Sequence, residues 1–523
     1  MPGSLRQVLR RPLTVTGIAF MVFLMIFHQP TSMYYYLTLA QLLFVPIVLE
    51  QLVELKVWQK VIIGGGQLAV TVLFFSESNL IILLCVAIYL VSTLTVAWQG
   101  VQRFLKRGFV NTAETMIDIG LIYIVMGGVW FLAFHLQLDT GFSPMITWLT
   151  GIHFHYSAFL LCITVGLIGR LHMTYFYRFC CVIIAAGPMF VAIGITFSRI
   201  IELIAVSLYV VAIFGISCLV MKWKMPRGVG LLIRVAFLTL CFTIIWSLLY
   251  AFSNLTGMIL VDIPNMLAFH GILNCLLFGG AIVLAWSLYI PPTKHKDYSF
   301  PVSRIRGNLP DSTQPHAGLV DDMSDFIDKS EVPALISDFY ERTTQFHLTA
   351  SVKWATWFKP IAFVYQFISR RIGQLNLPYS AKPVVMDGQI VKVDELLDGR
   401  ENPRVWQRTI EGRPVFKAIY SQHWKDGRCY MNIALPLPMS TMHGILQLSI
   451  VDESLQLTSD APGDAGTYLA VGNYVLQLPL HEYFIIKEDK GTLKATHDMT
   501  LFRLPFLHID YQIQLERDLE NHP

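Results

Sequence analysis

Charged side chains are scarce in this 523-residue chain, 14% of it in all, where an ordinary soluble domain carries about 25%. With 54% hydrophobic residues, that scarcity excludes a wholly water-soluble fold. Cysteine is nearly confined to apolar stretches: seven of the eight (Cys85, Cys162, Cys180, Cys181, Cys218, Cys241 and Cys275) lie in them. There free cysteine behaves as a small hydrophobe, and neither a disulfide framework nor a CxxC metal motif can be drawn. Also missing are the GxxxxGK[ST] phosphate loop, the GxGxxG dinucleotide fingerprint and the GxSxG nucleophile elbow. ATP-driven transport and serine hydrolysis therefore lose their usual support. Net charge is near +7 over residues 1–290 and near −4 beyond them, which indicates no nucleic-acid partner.

What is present is hydrophobic length. A membrane-crossing helix takes about 20 apolar residues, within roughly 17 to 25, and ten stretches fit: 12–28, 33–52, 57–75, 79–98, 113–135, 149–169, 176–197, 200–221, 229–252 and 266–289. Residues 1–290 thus read as an α-helical polytopic membrane domain of about ten transmembrane helices. Arg6, Arg10 and Arg11 precede the first stretch as they would in a signal peptide, but no small-residue cleavage site follows, so it reads as a permanent span. Gly64-Gly65-Gly66 in the third predicts close helix packing or a local break. Cytoplasmic loops collect Lys and Arg. Here the cations fall on alternate connections: the N-terminal arginines, Lys56 and Lys60, Arg103, Lys106 and Arg107, Arg170 and Arg178, then Lys222, Lys224 and Arg227, with only Arg199 on the other side. Both termini are expected in the cytoplasm.

That orientation assigns depth to the polar residues. His28 and His135 end outward-running spans, His153 and His155 open an inward-running one, and Arg199, Glu202, His270 and Asn274 also fall in the outer half. An ionisable side chain in hydrocarbon costs roughly 2.5 to 3.5 kcal/mol on insertion scales and is rare unless it faces a protein interior or a water path. His270 and Asn274, four apart, share a helix face, and Arg199 and Glu202, three apart, can pair. On a regular helix His153 and His155 point about 200° apart, which disfavours a two-histidine metal clamp. The expected substrate or proton path is His153, His155, Arg199, Glu202, His270 and Asn274, with Asp118 as a secondary site. The plainer reading is that these are interface residues bonded to water or backbone. Glu114, which opens the fifth span with Asp118, suits a helix N-terminus, and Glu50 and Glu54 suit the headgroups. Imidazole nitrogen also ligates zinc, copper and haem iron. A histidine-ligated metal or haem enzyme therefore competes, although no acidic second-shell partner is visible and no metal or catalytic residue is assigned.

Residues 291–330 (Pro291-Pro292-Thr293-Lys294-His295-Lys296, then polar sequence) read as a linker. In 331–382 a helix is expected from Glu331 to about Phe346. Trp354, Trp357, Phe358, Ile361, Phe363, Val364, Phe367 and Ile368, followed by Arg370 and Arg371, then form an amphipathic segment for the membrane surface or for a soluble core. From 383 to 523 short alternating runs between Asp387-Gly388, Asp398-Gly399, Asp426-Gly427 and Lys490-Gly491 indicate a β-rich, α+β cytoplasmic domain, as a sandwich or partly closed sheet. Pro414–Tyr420 and Arg428–Leu435 read as a hairpin around Asp426-Gly427. His423, His443, His481 and His497 have no ligand spacing. A sensor or assembly scaffold working through this domain is a third reading.

In order along the chain, His153-Phe154-His155, His270-Gly271-Ile272-Leu273-Asn274, Asp398-Gly399-Arg400-Glu401-Asn402, Tyr430-Met431-Asn432-Ile433-Ala434-Leu435-Pro436-Leu437-Pro438, Gly463-Asp464-Ala465-Gly466 and Pro505-Phe506-Leu507-His508-Ile509-Asp510-Tyr511 resemble the YndJ-like bacterial membrane proteins over nearly the whole chain. The resemblance implies a multipass, transporter-like protein of the bacterial cell membrane. It assigns no catalytic residue, cofactor or protein partner; the partners expected are the lipid bilayer and a small solute or protons.

Overall fold

The computed structural model describes residues 5–28, 34–226, 228–295, 298–307 and 314–516. Arg227, Lys296, residues 308–313 of the expected linker and residues 517–523 lie outside them. The chain divides into two compact units, Met1–Phe104 with Asn111–His295, and Leu105–Val110 with Lys296–Pro523.

In the first unit, nine helices among the described residues are apolar and long enough, at 18 to 28 residues, to cross a membrane. They follow a shorter helix, α1 (Pro12–Phe27), and are α2 (Tyr35–Leu52), α3 (Val57–Phe75), α4 (Asn79–Leu105), α5 (Thr112–His135), α6 (Pro144–Leu171), α7 (Tyr175–Phe197), α8 (Arg199–Lys222), α9 (Val229–Thr256) and α10 (Ile263–Leu288). With 16 residues, α1 rises about 24 Å at 1.5 Å per residue, less than the roughly 30 Å of a hydrocarbon core.

Buried Glu50 supplies the cap that α1 lacks: its carboxylate accepts from the Leu13 and Thr14 amides at 3.1 Å and from the Thr14 hydroxyl. Glu50 is therefore not a headgroup residue. At the other end of α1, His28 Nδ1 lies 2.9 Å from the Tyr35 hydroxyl, so α1 and α2 run antiparallel. The helix through Gly64-Gly65-Gly66 is unbroken. A Cβ on Gly66 would fall 2.7 Å from the Ser92 side chain, which makes this glycine a close-packing device against α4.

The innermost helix is α6, 89% of whose apolar window is buried against 28 to 67% for the other eight. It is not regular: Phe154–Leu160 forms π-helical turns, as do Ala40–Phe44 in α2 and Met266–Gly271 and Leu273–Phe278 in α10. Such turns are rare and concentrate at functional sites.

The second unit is built on twelve strands: β1 (Phe346–Trp354), β2 (Val384–Lys392), β3 (Arg404–Ile410), β4 (Arg413–Lys425), β5 (Arg428–Leu437), β6 (Ser440–Val451), β7 (Ser454–Thr458), β8 (Gly466–Val471), β9 (Tyr474–Gln477), β10 (Leu480–Asp489), β11 (Thr492–Leu501) and β12 (Leu504–Leu515). Pairing runs β5-β4-β3-β2-β1-β12-β11-β10-β7-β6, and β6 returns to β5. The result is a closed ten-stranded antiparallel barrel, not a sandwich. Closure removes exposed sheet edges. On its second edge β6 pairs with β8 over Ser440–Ile445 and with β7 over Gln447–Val451, so the β8–β9 hairpin branches off there.

Asp426 and Gly427, at φ 50° and 74°, close the expected β4–β5 hairpin with a two-residue turn whose positive φ pair matches the strand twist. Lys490 and Gly491 repeat this between β10 and β11. Asp387-Gly388 is not a turn but lies inside β2, where a Cβ on Gly388 would meet Trp406 Nε1 at 2.5 Å.

The barrel begins before residue 383. Leu348, Ala350 and Val352 of β1 are buried at every second position, the period of a strand. Segment 331–382 is thus one strand between α11 (Ala334–Glu341) and α12 (Lys359–Ile372). Of the expected amphipathic segment, Trp354 and Phe358 stack together, with Phe358 also against Phe506, and Trp357 Nε1 donates to the Pro505 carbonyl. Ile361, Phe363, Val364, Phe367 and Ile368 on α12 stay more than half exposed. The supposed linker is not loose, because Phe300, Ile305, Leu319, Val320 and Met323 are buried.

Candidate functional site

Five of the helices line a cavity of about 270 Å3 in the first unit: α6, α7, α8, α9 and α10, with Tyr36 of α2 and Trp130 of α5 adding to its wall. Its lining is mainly apolar, and a small polar group converges from three helices: His153, Thr243, Ser247, His270 and Asn274. Pro188 of α7 also lines it, so of the five surrounding helices two carry π-helical turns and a third an internal proline where they meet the cavity.

The hydrogen bonds assign the protons. His270 Nδ1 lies 2.9 Å from the Thr243 carbonyl, which can only accept, so Nδ1 donates. Nε2 then accepts from Asn274 Nδ2 at 3.2 Å, and Asn274 Oδ1 accepts from the Thr243 hydroxyl at 2.7 Å. Ser247 Oγ lies 3.3 Å from His270 Nδ1. His153 Nδ1 donates to the Leu149 carbonyl at 2.7 Å, leaving the Nε2 lone pair. The two imidazoles stack with centroids 6.3 Å apart.

The other expected site residues are elsewhere. His155 does not line the cavity; it is 1% exposed, donates from Nδ1 to the Gly151 carbonyl at 2.7 Å and accepts from the Tyr89 hydroxyl at 2.6 Å. Its ring seats on Gly127, where a Cβ would lie 2.6 Å away. Arg199 and Glu202 do pair, at 3.0 Å, and Asn254 Nδ2 donates to Glu202 at 2.9 Å; neither lines the cavity. His153, His270 and Asn274 therefore come together, and His155, Arg199 and Glu202 do not join them.

Asp118 belongs to a buried charge network. Arg103 Nε donates to Asp118 at 2.8 Å and its Nη2 to Glu114 at 2.9 Å, while Arg170 grips Glu114 through Nε and Nη2 at 2.7 and 2.9 Å. Arg170 Nη1 donates to the Pro291 carbonyl at 2.8 Å. Glu114 and Asp118 are each 1% exposed. The network ties α4, α5, α6 and the chain after α10 together. Sequence reasoning missed Arg103 and Arg170, which sit in helix ends and count as loop cations by position. It also missed Tyr89, Thr243 and Asn254; the only signal was a polar residue inside an apolar run.

In the barrel unit the Asp398–Asn402 motif is structural. Arg400 and Asp398 pair with both side chains fully buried, at 2.6 Å, and Arg400 Nη1 donates to the backbone and side-chain oxygens of Asn432 at 2.8 and 3.0 Å. Ser303 donates to Asp398 at 2.6 Å, Asn432 Nδ2 to the Pro301 carbonyl at 2.8 Å, and His443 Nδ1 meets Asn432 Oδ1 at 3.1 Å. Burial, reinforced by the Arg400 and Arg306 guanidinium groups, holds the His443 pKa well below its ordinary value. The folded imidazole is then neutral, and below about pH 6.5 the unfolded chain takes up a proton that the folded one refuses. Barrel stability is therefore unaffected by His443 above that pH and falls below it, by at most about 1.4 kcal/mol per unit. The opening free energy of the β5 and β6 amides in the intact protein, taken from exchange rates corrected for their intrinsic pH dependence, is expected to fall between pH 7.5 and 5.5, and less so in His443→Gln; equal pH dependence in both proteins contradicts this.

Comparison with known proteins places this geometry. A family profile described as YndJ-like protein matches residues 35–278. The "Uncharacterized membrane protein YndJ" of Bacillus subtilis (strain 168) is 36% identical over 445 residues, which is 80% of this chain and 81% of that protein. That span exceeds what the helical unit alone supplies and so reaches into the barrel unit. No solved structure matches the chain. With this identity over four-fifths of both proteins, the chain belongs to the YndJ-like family of membrane proteins.

Proposed function

We propose that the helical unit binds a small, mainly apolar molecule carrying a hydrogen-bond donor, such as an alcohol, in the cavity between α6, α7, α8, α9 and α10. The carrying observation is the convergence of His153, His270 and Asn274 on an apolar cavity of about 270 Å3 at the places where α6 and α10 leave regular helical geometry. Ligand pockets are typically about 300 to 1,000 Å3, apolar, with a few placed polar groups, so the occupant is small. Both nitrogens of His270 are engaged, and the acceptor offered to a ligand is His153 Nε2. That arrangement favours a solute over a proton relay. Among the described residues no three His, Cys, Asp or Glu side chains converge as metal ligands, which favours a hydrogen-bonding pocket over a zinc- or copper-type centre. Binding of this kind is the first step of a transporter-like role.

The loop cations support a cavity in the outer half of a bacterial cell membrane, with both termini and the barrel in the cytoplasm. In this placement α1 is the tenth crossing, supported by its antiparallel pairing with α2. The exposed apolar face of α12, ending in Arg370 and Arg371, suits an anionic bilayer surface.

The test uses purified protein in nanodiscs with borneol and its hydrocarbon counterpart camphane as probes. Borneol is expected to protect the wild type against heat more than camphane does. His153→Ala should remove that preference, worth about fivefold in affinity for one hydrogen bond, and Ser247→Phe should abolish both effects by filling the cavity. Equal responses of wild type and Ser247→Phe sink the reading.

A further inference from the structure

We propose that the barrel interior is a second ligand site, for a small monocarboxylate with an apolar body, and that Arg408 is its anchor. A cavity of about 120 Å3 lies inside the barrel, walled by inward-facing apolar residues of nearly every strand of the ring. Arg408 of β3 is set in this wall, 91% buried, its guanidinium held 4.4 Å from the Trp406 ring centroid and 4.2 Å from that of Phe416. The two rings fix the guanidinium by cation–π contact. The guanidinium also bonds the Tyr511 hydroxyl, but its Nε has no hydrogen-bond partner among the described residues.

A buried charged donor left unsatisfied is costly. A carboxylate meets a guanidinium with short, charge-assisted hydrogen bonds. The carboxylate already in the cavity wall, Glu482, has its own partners: Thr467 Oγ1 at 3.4 Å and His497 Nε2 at 3.5 Å. It makes no ion pair or hydrogen bond with Arg408 among the described residues. An engineered apolar cavity of about 150 Å3 admits benzene, so this one takes a body of roughly six carbon atoms.

The experiment titrates hexanoate, 1-hexanol and hexan-2-one against the full-length protein in nanodiscs, reading the 13C-carboxyl signal of labelled hexanoate and amide exchange in β3 and β10. Hexanoate is expected to bind saturably and to protect both strands, with the two neutral probes at least roughly tenfold weaker, the margin of a charged hydrogen bond. Arg408→Met should weaken hexanoate by a similar factor. Ala495→Met, which fills the cavity with Arg408 intact, should also abolish it, and this variant decides the matter if Arg408→Met does not fold. Hexan-2-one binding as tightly as hexanoate overturns the carboxylate assignment. Absence of saturable hexanoate binding by the wild type overturns the site, whatever the variants do.

Discussion

Arg400→Met is expected to destabilise the barrel by about 3 to 5 kcal/mol, the usual result of breaking a buried ion pair from one side. The guanidinium fits between the Asp398 carboxylate, the Asn432 oxygens and the Ile419 carbonyl. Burial pulls the Arg400 pKa down and Asp398 holds it up. Without Arg400 the Asp398 carboxylate keeps, among the described residues, the Ser303 hydroxyl and the more distant Arg306 charge, and loses its directly paired cation at 0% exposure. Because domains have only about 5 to 15 kcal/mol in hand, such a loss reaches the whole barrel. Faster amide exchange in β4 and β5 and in residues 298–307 is the expected signature in the intact protein. Asp398→Asn combined with Arg400→Met should recover much of the loss, since it removes the stranded charge as well. A double variant no better than the single one would show that hydrogen-bond geometry, not charge, sets the cost.

That cluster shows how far the sequence could be read. Asp398–Asn402 and Tyr430–Pro438 are separate motifs along the chain, and nothing in either spacing announces that Arg400 and Asn432 touch. Polar motifs in turns are common, so the turn reading of the first motif accounts for Gly399 at φ 83° but not for the buried pair beside it. Hydrophobic length located nine spans, and two of the four turn pairs, Asp426-Gly427 and Lys490-Gly491, located hairpins, because both signals are local. The strand β1 escaped because its aromatic ends, Phe346 and Trp354, merge with the Trp- and Phe-rich run into α12, and a helix and a half-buried strand are hard to separate over nine residues.

Shared depth likewise grouped six residues, of which the packing joins His153, His270 and Asn274 and separates the rest. His155 illustrates the reason: two positions from His153, it leaves the helix on another side and meets Tyr89. Depth is readable from spans and charges; azimuth depends on which helices are neighbours. In α6 and α10 the π-helical turns also defeat the 100° step that a face prediction uses.

Arg170→Leu is expected to lower the melting temperature of the purified protein by on the order of 10 °C, from a loss of about 3 to 5 kcal/mol. Arg170 is the main partner of Glu114, through two hydrogen bonds, and also holds the Pro291 carbonyl after α10. Its removal takes from Glu114, 1% exposed, its two-bonded cation, with Arg103 among the partners that remain. Inside an apolar bundle no water replaces the missing cation, so the strain appears as lost stability rather than as a rearranged surface. Glu114→Gln should cost comparably, because it strands Arg170 instead. The pair Glu114→Leu with Arg170→Leu discriminates between two explanations. If the network only balances charge, the double variant regains most of the loss, as apolar replacements of buried ion pairs often do. If instead Arg170 is needed to pin the chain at Pro291, the double variant stays as unstable as Arg170→Leu alone. Single variants that melt within about a degree of the wild type would remove the network from the forces holding α4, α5 and α6 together.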